Sequence, residues 1–218
     1  MKNKKILLSI LVIGFCAGAV WSAKAFRPSA LFGSFQDSPK SMGNPKAQLN
    51  VVEYFDYQCG ACQAAYLGFK EYFQKYPGAI RLEARFFPLP AHPHGLQAAI
   101  CAQCAAEQGK FWPFHDLVFE KQSEWAPLPD VKVTFQEYAG RADLDLNKWS
   151  ACIASPDTEV AVMKERSEGT ALDVKLTPSF MVNGKFVVGA DHLTEELRKF
   201  FGEAPATDPG HAQSPASH

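Results

Sequence analysis

Two cysteines three residues apart stand where a strand-forming run gives way to a helical one. The run QLNVVEYFD, at 48–56, carries branched and aromatic residues on both faces, which is typical of a strand at the centre of a sheet. From 60 to 76 the apolar residues recur every three to four positions, which predicts an amphipathic helix. At this junction, Cys59 and Cys62 are compatible with half of a zinc site, a structural staple or a redox pair.

The segments that follow predict an α/β fold with a helical insertion. A second strand-forming run at 79–89 completes a strand, helix and strand, which form a right-handed crossover between parallel strands. Residues 92–172 are then almost wholly helical in pattern, far more than one crossover requires. The sheet resumes at 178–182, where Asn183-Gly184 predicts a hairpin into the next strand, and a closing helix is predicted at 193–201. We therefore predict a mixed central sheet with flanking helices and an inserted helical subdomain.

Residues 1–25 have the layout of a secretory signal peptide. Lysines in MKNKK precede an apolar run at 6–20, and SAKA supplies an A-x-A cleavage pattern before Phe26. An uncleaved N-terminal membrane anchor is the alternative, although the run is shorter than the ~18 apolar residues that a spanning helix requires. Residues 26–42 follow as a leader or linker, and we expect residues 202–218 to be a disordered tail.

The charge of the chain gives no sign of a nucleic-acid partner. It has 22 basic and 23 acidic residues, and cleavage before Phe26 removes four lysines and no acids, which leaves a net charge of −5. There is no basic patch or run of the kind that binds phosphates. We therefore expect no nucleic-acid partner.

Zinc is the first alternative for the cysteines, because CGAC and CAQC together supply four thiolates. However, 38 residues separate Cys62 from Cys101. Zinc modules place about 15–20 residues between such pairs. The second pair also lies in an Ala-rich helical segment rather than in a turn. We therefore expect no metal site.

The first pair is better placed for redox chemistry. Cys59 precedes the first helical turn, so its sulfur faces unpaired backbone N–H groups and the positive end of the helix dipole. Both stabilise a thiolate and lower the pKa of Cys59 below the ~8.5 of a free cysteine. Cys62, one turn further in, becomes the shielded, resolving thiol. A passive staple is the alternative, but closing so short a loop adds little stability.

Four motifs, in this order, resemble the DsbA-like thioredoxin family of secreted bacterial thiol–disulfide oxidoreductases. They are VVEYFDYQCGAC, FFPLPAHPHGLQAA, AAEQGKFWPFHDLVF and LTPSFMVNGKFVVG, and the resemblance covers residues 43–201. It implies a thioredoxin fold into which the helical segment at 92–172 is inserted. It also implies a periplasmic protein disulfide oxidoreductase that uses Cys59 and Cys62 without a cofactor.

Glu53 is the next candidate, because it lies on the predicted central strand and shares a face with Val51 and Phe55. A carboxylate inside a two-sided apolar strand is costly unless it is neutral or hydrated. One interpretation is a strand end that faces solvent. The other is a buried acid that relays protons to or from Cys62, and the resemblance favours it because the family carries an acid six residues before its nucleophile.

The resemblance also assigns a role to Thr177-Pro178. The family keeps this peptide bond cis and packs it against the redox pair. A proline that opens a strand cannot donate a ladder hydrogen bond. The backbone of Thr177 is then free to pair with an extended substrate by strand addition.

The sequence departs from its relatives between the cysteines. Gly60 and Ala61 replace the Pro-His or Gly-Pro of many family members, so the histidine that favours a strong oxidant is missing. The first interpretation is a dithiol oxidase that introduces disulfides into unfolded or reduced secreted proteins. Its electrons would pass to a quinone-linked membrane protein of the DsbB or vitamin K epoxide reductase type. The alternatives are a reductase or isomerase kept reduced by a membrane donor, and a non-enzymatic chaperone or binding module.

Three further cysteines remain in the predicted insertion. Cys104 shares a helical stripe with Leu96 and Ile100, which should face the interior of the subdomain. Cys152 lies beside apolar residues on another predicted helix, so we expect a structural Cys104–Cys152 bridge with Cys101 free. A Cys101–Cys152 bridge and three reduced core cysteines are the alternatives.

Overall fold

The computed structural model describes residues 38–204. The predicted signal peptide, most of the predicted leader and residues 205–218 of the predicted tail lie outside the described residues. Within 38–204, no helix combines the length and the apolar character that crossing a membrane would require.

Five strands form one mixed sheet in the described part of the chain. They are β1 (Ser41–Gly43), β2 (Leu49–Phe55), β3 (Ile80–Phe86), β4 (Ser179–Val182) and β5 (Lys185–Val188). Their order in the sheet is β1-β3-β2-β4-β5. The central pair, β2 and β3, is parallel, and the other neighbouring pairs are antiparallel. The predicted fold class is confirmed, with the strand that precedes the cysteines at the centre of the sheet.

Eight helices accompany the sheet between residues 38 and 204. They are α1 (Gly60–Lys75), α2 (Gly95–Glu107), α3 (Phe111–Glu120), α4 (Gln122–Trp125), α5 (Lys132–Arg141), α6 (Leu146–Ala154), α7 (Pro156–Ala171) and α8 (Ala190–Phe201). Six of them, α2 to α7, lie between β3 and β4 in the chain. Helix α1 makes the crossover between the two parallel strands, and α8 closes the fold.

Two apolar clusters meet at β2 and α1. One lies between the sheet and helices α1 and α8, and it contains Val51, Phe69, Ile80, Phe180 and Leu193. The other joins the sheet to the helical layer, and it contains Phe55, Cys62, Phe86, Phe119 and Trp125. Because α1 buries residues in both clusters, its N-terminal end, where the cysteines lie, is held by the sheet and by the helical layer.

A disulfide joins Cys104 on α2 to Cys152 on α6, with an S–S distance of 2.01 Å and a Cα–Cα distance of 5.8 Å. Cys101 is a free, buried thiol. The pairing is the expected one, but the predicted reason for it was incomplete. Helix α2 is buried on several sides, since its small residues, including Ala98, Ala102 and Ala105, pack as tightly as Cys104 does. The predicted stripe residues Leu96 and Ile100 are only partly buried.

Both predicted boundaries of the domain differ from the structure. Ser41 and Met42, assigned to the leader, form the first two residues of β1 and pair with Glu83 and Leu82 on β3. At the other end, Glu203, assigned to the disordered tail, accepts hydrogen bonds from three side chains. These are Tyr72 at 3.0 Å, Lys75 at 2.8 Å and Tyr76 at 2.6 Å. These contacts are between residues distant in sequence, so local composition did not indicate them.

Candidate active site

Cys59 is the last residue before helix α1, and its backbone is extended at φ −77° and ψ 119°. The carbonyl oxygen of Cys59 accepts hydrogen bonds from the backbone N–H of Cys62 at 3.1 Å and of Gln63 at 3.2 Å. The side-chain amide of Gln122 donates to the same oxygen at 3.0 Å and to the carbonyl of Tyr57 at 2.7 Å. A buried glutamine from the helical layer therefore holds the turn that carries the first cysteine.

The buried carboxylate of Asp56 anchors the other side of this turn. It accepts the backbone N–H of Gln58 at 2.7 Å and of Leu89, in the loop after β3, at 2.7 Å. His92 Nδ1 lies 2.9 Å from the same carboxylate. Gly95 packs against it so closely that a Cβ there would lie 2.6 Å from Asp56 Oδ2. Neither Asp56 nor Gln122 stands out in the sequence, because only contacts between distant segments reveal what they hold.

The two thiols, which are unbonded in this structure, have opposite environments. A hydrogen bond from the Cys62 thiol is the main cause that lowers the pKa of Cys59 to about 5, against the opposing effect of partial burial. The Thr177 side chain and the backbone N–H groups of Ala61 and Cys62 lower it further. Burial, followed by the hydrogen bond to Cys59, raises the pKa of Cys62 well above the usual range. At neutral pH the first cysteine is therefore a thiolate and the second a thiol.

The loop before β4 brings Thr177 and Pro178 to the cysteines, and the peptide bond between them is cis. Cys59 Sγ lies 3.4 Å from the carbonyl oxygen of Thr177. The buried Thr177 hydroxyl has no other hydrogen-bond partner within the described residues, and it contributes to the lowered pKa of Cys59. Beside it, Leu176 is 62% exposed. The loop thus offers a free hydroxyl and an apolar surface next to the reactive sulfur.

Glu53 lies in the middle of β2, opposite Ala84 on β3 and Phe180 on β4. Its side chain is buried, so the interpretation of a strand end that faces solvent does not apply. Burial, with a smaller contribution from the charge of Cys59, raises the pKa of Glu53 to about 8. The charge of Glu53, when it is ionised, in turn contributes to the raised pKa of Cys62. Glu53 is therefore largely protonated at neutral pH.

The family model described as Thioredoxin matches residues 36–201. The chain belongs to the thioredoxin family. Both cysteines lie within the matched residues, Cys59 directly before α1 and Cys62 in the first turn of that helix.

Two solved structures illustrate the likeness of this family member to known proteins. The chain aligns with alpha-DsbA1 from Wolbachia pipientis at a TM-score of 0.63 and 24% identity, covering 75% of this chain and 90% of that one. It aligns with oxidised BdbD from Bacillus subtilis at a TM-score of 0.63 and 20% identity, covering 73% and 91%. At these identities the likeness is one of fold.

Among curated proteins, this thioredoxin-family chain is 34% identical over 144 residues to Na(+)/H(+) antiporter NhaA 3 from Salinispora tropica. The alignment covers 66% of this chain and 21% of the antiporter. The chain thus spans about a fifth of the length of the curated relatives it matches. We therefore do not assign sodium–proton exchange to this chain.

Within residues 38–204, no group of three or more His, Cys, Asp or Glu side chains is arranged to hold a metal ion. Cys101 and Cys104, the second half of the zinc alternative, lie in α2, and Cys104 is bonded to Cys152. The four cysteines of CGAC and CAQC are therefore not arranged as one zinc site.

Proposed function

We propose that this protein is a periplasmic dithiol oxidase that introduces disulfides into reduced secreted proteins through Cys59 and Cys62. The observation that carries the proposal is the asymmetry of the two thiols. The pKa of Cys59 is lowered to about 5, whereas the pKa of Cys62 is raised well above its usual range. A dithiol protein is a stronger oxidant when its reduced form is stabilised, and a stable Cys59 thiolate stabilises the reduced form.

The reaction begins with the oxidised enzyme, in which Cys59 and Cys62 share a disulfide. A client thiolate attacks Cys59 Sγ, a client–Cys59 disulfide forms, and Cys62 leaves with the electron pair. Because its pKa is high, Cys62 takes up a proton, and the buried carboxyl of Glu53 donates it. A second client thiolate then attacks the client sulfur, and Cys59 leaves as a stable thiolate. The client has lost two electrons and the enzyme has gained them.

Reoxidation reverses these steps against an external acceptor. The Cys59 thiolate attacks a disulfide of the acceptor, a mixed disulfide forms, and one acceptor sulfur leaves as a thiolate. The ionised form of Glu53 takes the proton of Cys62, Cys62 attacks Cys59, and the second acceptor sulfur leaves with the electron pair. We propose a quinone-linked membrane protein of the DsbB or vitamin K epoxide reductase type as this acceptor. The proposal rests on the predicted secretion of the chain and on its membership of the family.

The client side of the site is formed by Thr177, Pro178 and Leu176. In the cis conformation, the backbone before Pro178 faces the reactive sulfur, and Thr177 is the residue we propose to pair with an extended client segment. The exposed side chain of Leu176 extends this edge with an apolar contact that tolerates many sequences. Unfolded chains present both extended backbone and apolar side chains, which suits this surface.

A reductase or isomerase is the second candidate, because Gly60 and Ala61 provide no histidine to hold the thiolate. The neutral state of Glu53 works in the opposite direction, since a charged carboxylate would destabilise the Cys59 thiolate. We expect a reduction potential between thioredoxin's, at about −270 mV, and that of DsbA, at about −120 mV.

A glutathione titration and thermal melts decide between the two candidates. The oxidase proposal predicts that the reduced protein melts at a higher temperature than the oxidised protein at neutral pH. It also predicts that a reduced client with two cysteines gains its disulfide when mixed with the oxidised protein. A more stable oxidised form would overturn the oxidase proposal in favour of a reductase or isomerase.

A further inference from the structure

A cavity of about 230 Å³ lies between α1, the sheet and α3, and the buried Glu53 lines it. Its lining runs from buried Glu53 and His115 to half-buried Asp116 and to the exposed side chains of Lys70 and Gln74. At about 30 Å³ for each molecule, it has room for roughly seven waters. The cavity therefore connects the buried acid of the active site with the protein surface.

Glu53 needs such a connection. In the proposed function, on which this inference rests, Glu53 gives a proton to Cys62 or takes one from it in every half-cycle. Only 3% of Glu53 is exposed, and its Oε1 atom has no hydrogen-bond partner among the described protein groups. The carboxyl group must recover its proton state between half-cycles, and this cavity, lined by polar side chains and by apolar ones such as Phe69, Leu82 and Trp112, reaches it from the surface.

Four other titratable side chains line the cavity, and they differ in what they can do with a proton. His115 is buried, which lowers its pKa to about 3, so it stays neutral, and its Nδ1 is 3.0 Å from the Tyr57 hydroxyl. Tyr66 and Lys70 have pKa values above their usual range, the first mainly through burial and the second through its hydrogen bond with Glu120. Both keep their protons at neutral pH.

Asp116 differs from these three because it is a carboxyl group, half-buried at the outer part of the cavity. Burial raises its pKa, as does the charge of Glu120 on its own helix, while Tyr66 and Lys70 on α1 act in the opposite direction. It is thus a second acid on the same cavity, nearer to solvent than Glu53. Two carboxyl groups joined by water can pass a proton in either direction.

We propose that Asp116 is the outer proton-exchange group of a hydrated route that leads from Glu53 through this cavity to solvent. When a client opens the Cys59–Cys62 bond, Cys62 takes the proton of Glu53. Glu53 then regains a proton from Asp116 through water, and Asp116 takes one from bulk solvent. During reoxidation the same proton travels outward. Asp116 touches neither sulfur, so it acts through Glu53.

The test measures how fast Cys62 closes the disulfide onto Cys59 in rapid mixing of the reduced protein with saturating oxidised glutathione at pH 7. In Asp116→Asn this step should slow about a hundredfold, the lower end of the range for loss of a proton-transfer group. Small weak bases such as imidazole or formate, which can accept the outgoing proton, should restore the rate with increasing concentration. Asp116→Glu, which keeps a carboxyl group, should react within about twofold of the wild type. The reduction potential should be the same in all three proteins.

Glu120→Gln is the matched control. Glu120 lies one turn further along α3 and bonds to Tyr66 and Lys70, but it does not line the cavity. Its loss should slow closure far less than Asp116→Asn does, because the carboxyl group of Asp116 remains. If Glu120→Gln slows closure as much as Asp116→Asn does, the effect is one of general charge, and the proposal is overturned.

Two results would separate this inference from the proposed function. If Asp116→Asn closes at the wild-type rate while Glu53→Gln is slow, Glu53 relays protons without Asp116, and only the route is overturned. If neither substitution slows closure, the relay through Glu53 is itself wrong. A slow Asp116→Asn that buffers do not rescue and whose reduction potential has changed would indicate a structural effect, which also overturns the route.

Discussion

The sulfur of Cys59 lies 3.4 Å from the carbonyl oxygen of Thr177, a residue 118 positions further along the chain. The thiol donates to this oxygen, and the Thr177 hydroxyl, which has no other partner among the described residues, is available once the proton is lost. The Cys59 thiol and the Cys59 thiolate thus bond to two different groups of the same residue, the carbonyl oxygen and the hydroxyl of Thr177. This contact joins the two halves of the sheet that the helical insertion separates in sequence.

The first prediction concerns the roles of the two cysteines. In Cys62→Ser, the Cys59 thiolate still attacks client disulfides but no second thiol resolves the product, so mixed disulfides should accumulate. In Cys59→Ser, the remaining thiol is buried and its pKa is high, so no client should be trapped. Non-reducing gels after exposure to oxidised clients measure this. Cys101→Ser, which removes another buried thiol, should behave as the wild type, and trapping by Cys59→Ser would reverse the assignment.

The second prediction concerns Thr177. Thr177→Val keeps the shape of the side chain but removes the hydroxyl that favours the thiolate. A hydrogen bond to a charged group contributes about 1.5–3 kcal/mol, so the pKa of Cys59 should rise from about 5 to about 6 or above. The absorbance of the thiolate against pH measures it. Thr177→Ser, which restores the hydroxyl, should titrate like the wild type, and an unchanged pKa in Thr177→Val would exclude a role for the hydroxyl.

The third prediction concerns the pH dependence of stability through Glu53. Its pKa is raised to about 8 by folding, so the folded state holds this proton more tightly than the unfolded chain does. The resulting stabilisation is complete below about pH 4.3, the ordinary value for glutamate, and is lost as the pH rises through about 8. Glu53→Gln imitates the protonated acid. The reduced variant should therefore be more stable than the wild type by on the order of 3 kcal/mol at pH 7.

Urea unfolding of both reduced proteins from pH 4.5 to 8.5 checks this third prediction. The free energies of unfolding should converge at the acid end and diverge as the pH rises. The Cys59 thiolate contributes equally to both proteins, so the difference between them isolates Glu53. Parallel curves would show that Glu53 is not protonated in the folded protein.

The fourth prediction concerns Gly95. A Cβ at this position would lie 2.6 Å from Asp56 Oδ2, so Gly95→Ala must displace the carboxylate that holds the turn before Cys59. We expect a loss of about 1–3 kcal/mol in the free energy of unfolding, together with slower reaction of Cys59, because a buried charged acceptor loses its donors. Gly140→Ala is the matched control, since a Cβ there meets nothing within 4 Å. Equal stability of the two variants would contradict the prediction.

The sequence alone determined the local framework of the protein. Residues close together in the chain predict three features: the change of period at Cys59, the hairpin at Asn183-Gly184 and the run of helical segments. The structure has the corresponding helices and strands. The position of Cys59 at a helix start is also local, so the direction of its pKa followed from the pattern. The relation of Glu53 to the redox pair came from the resemblance to a family.

Tertiary structure decided the contacts that act on these elements. Segments far apart in sequence are joined by the hydrogen bonds of Asp56 and Gln122. They are also joined at the cavity that Glu53 and Asp116 both line. Periodicity could not predict these contacts, because it tells which face of a helix is apolar and not which partner that face meets. The physical reason is clearest in α2, where small alanines allow close packing on several sides. One apolar stripe therefore does not define how this helix packs, and only the assembled fold sets which cysteines meet.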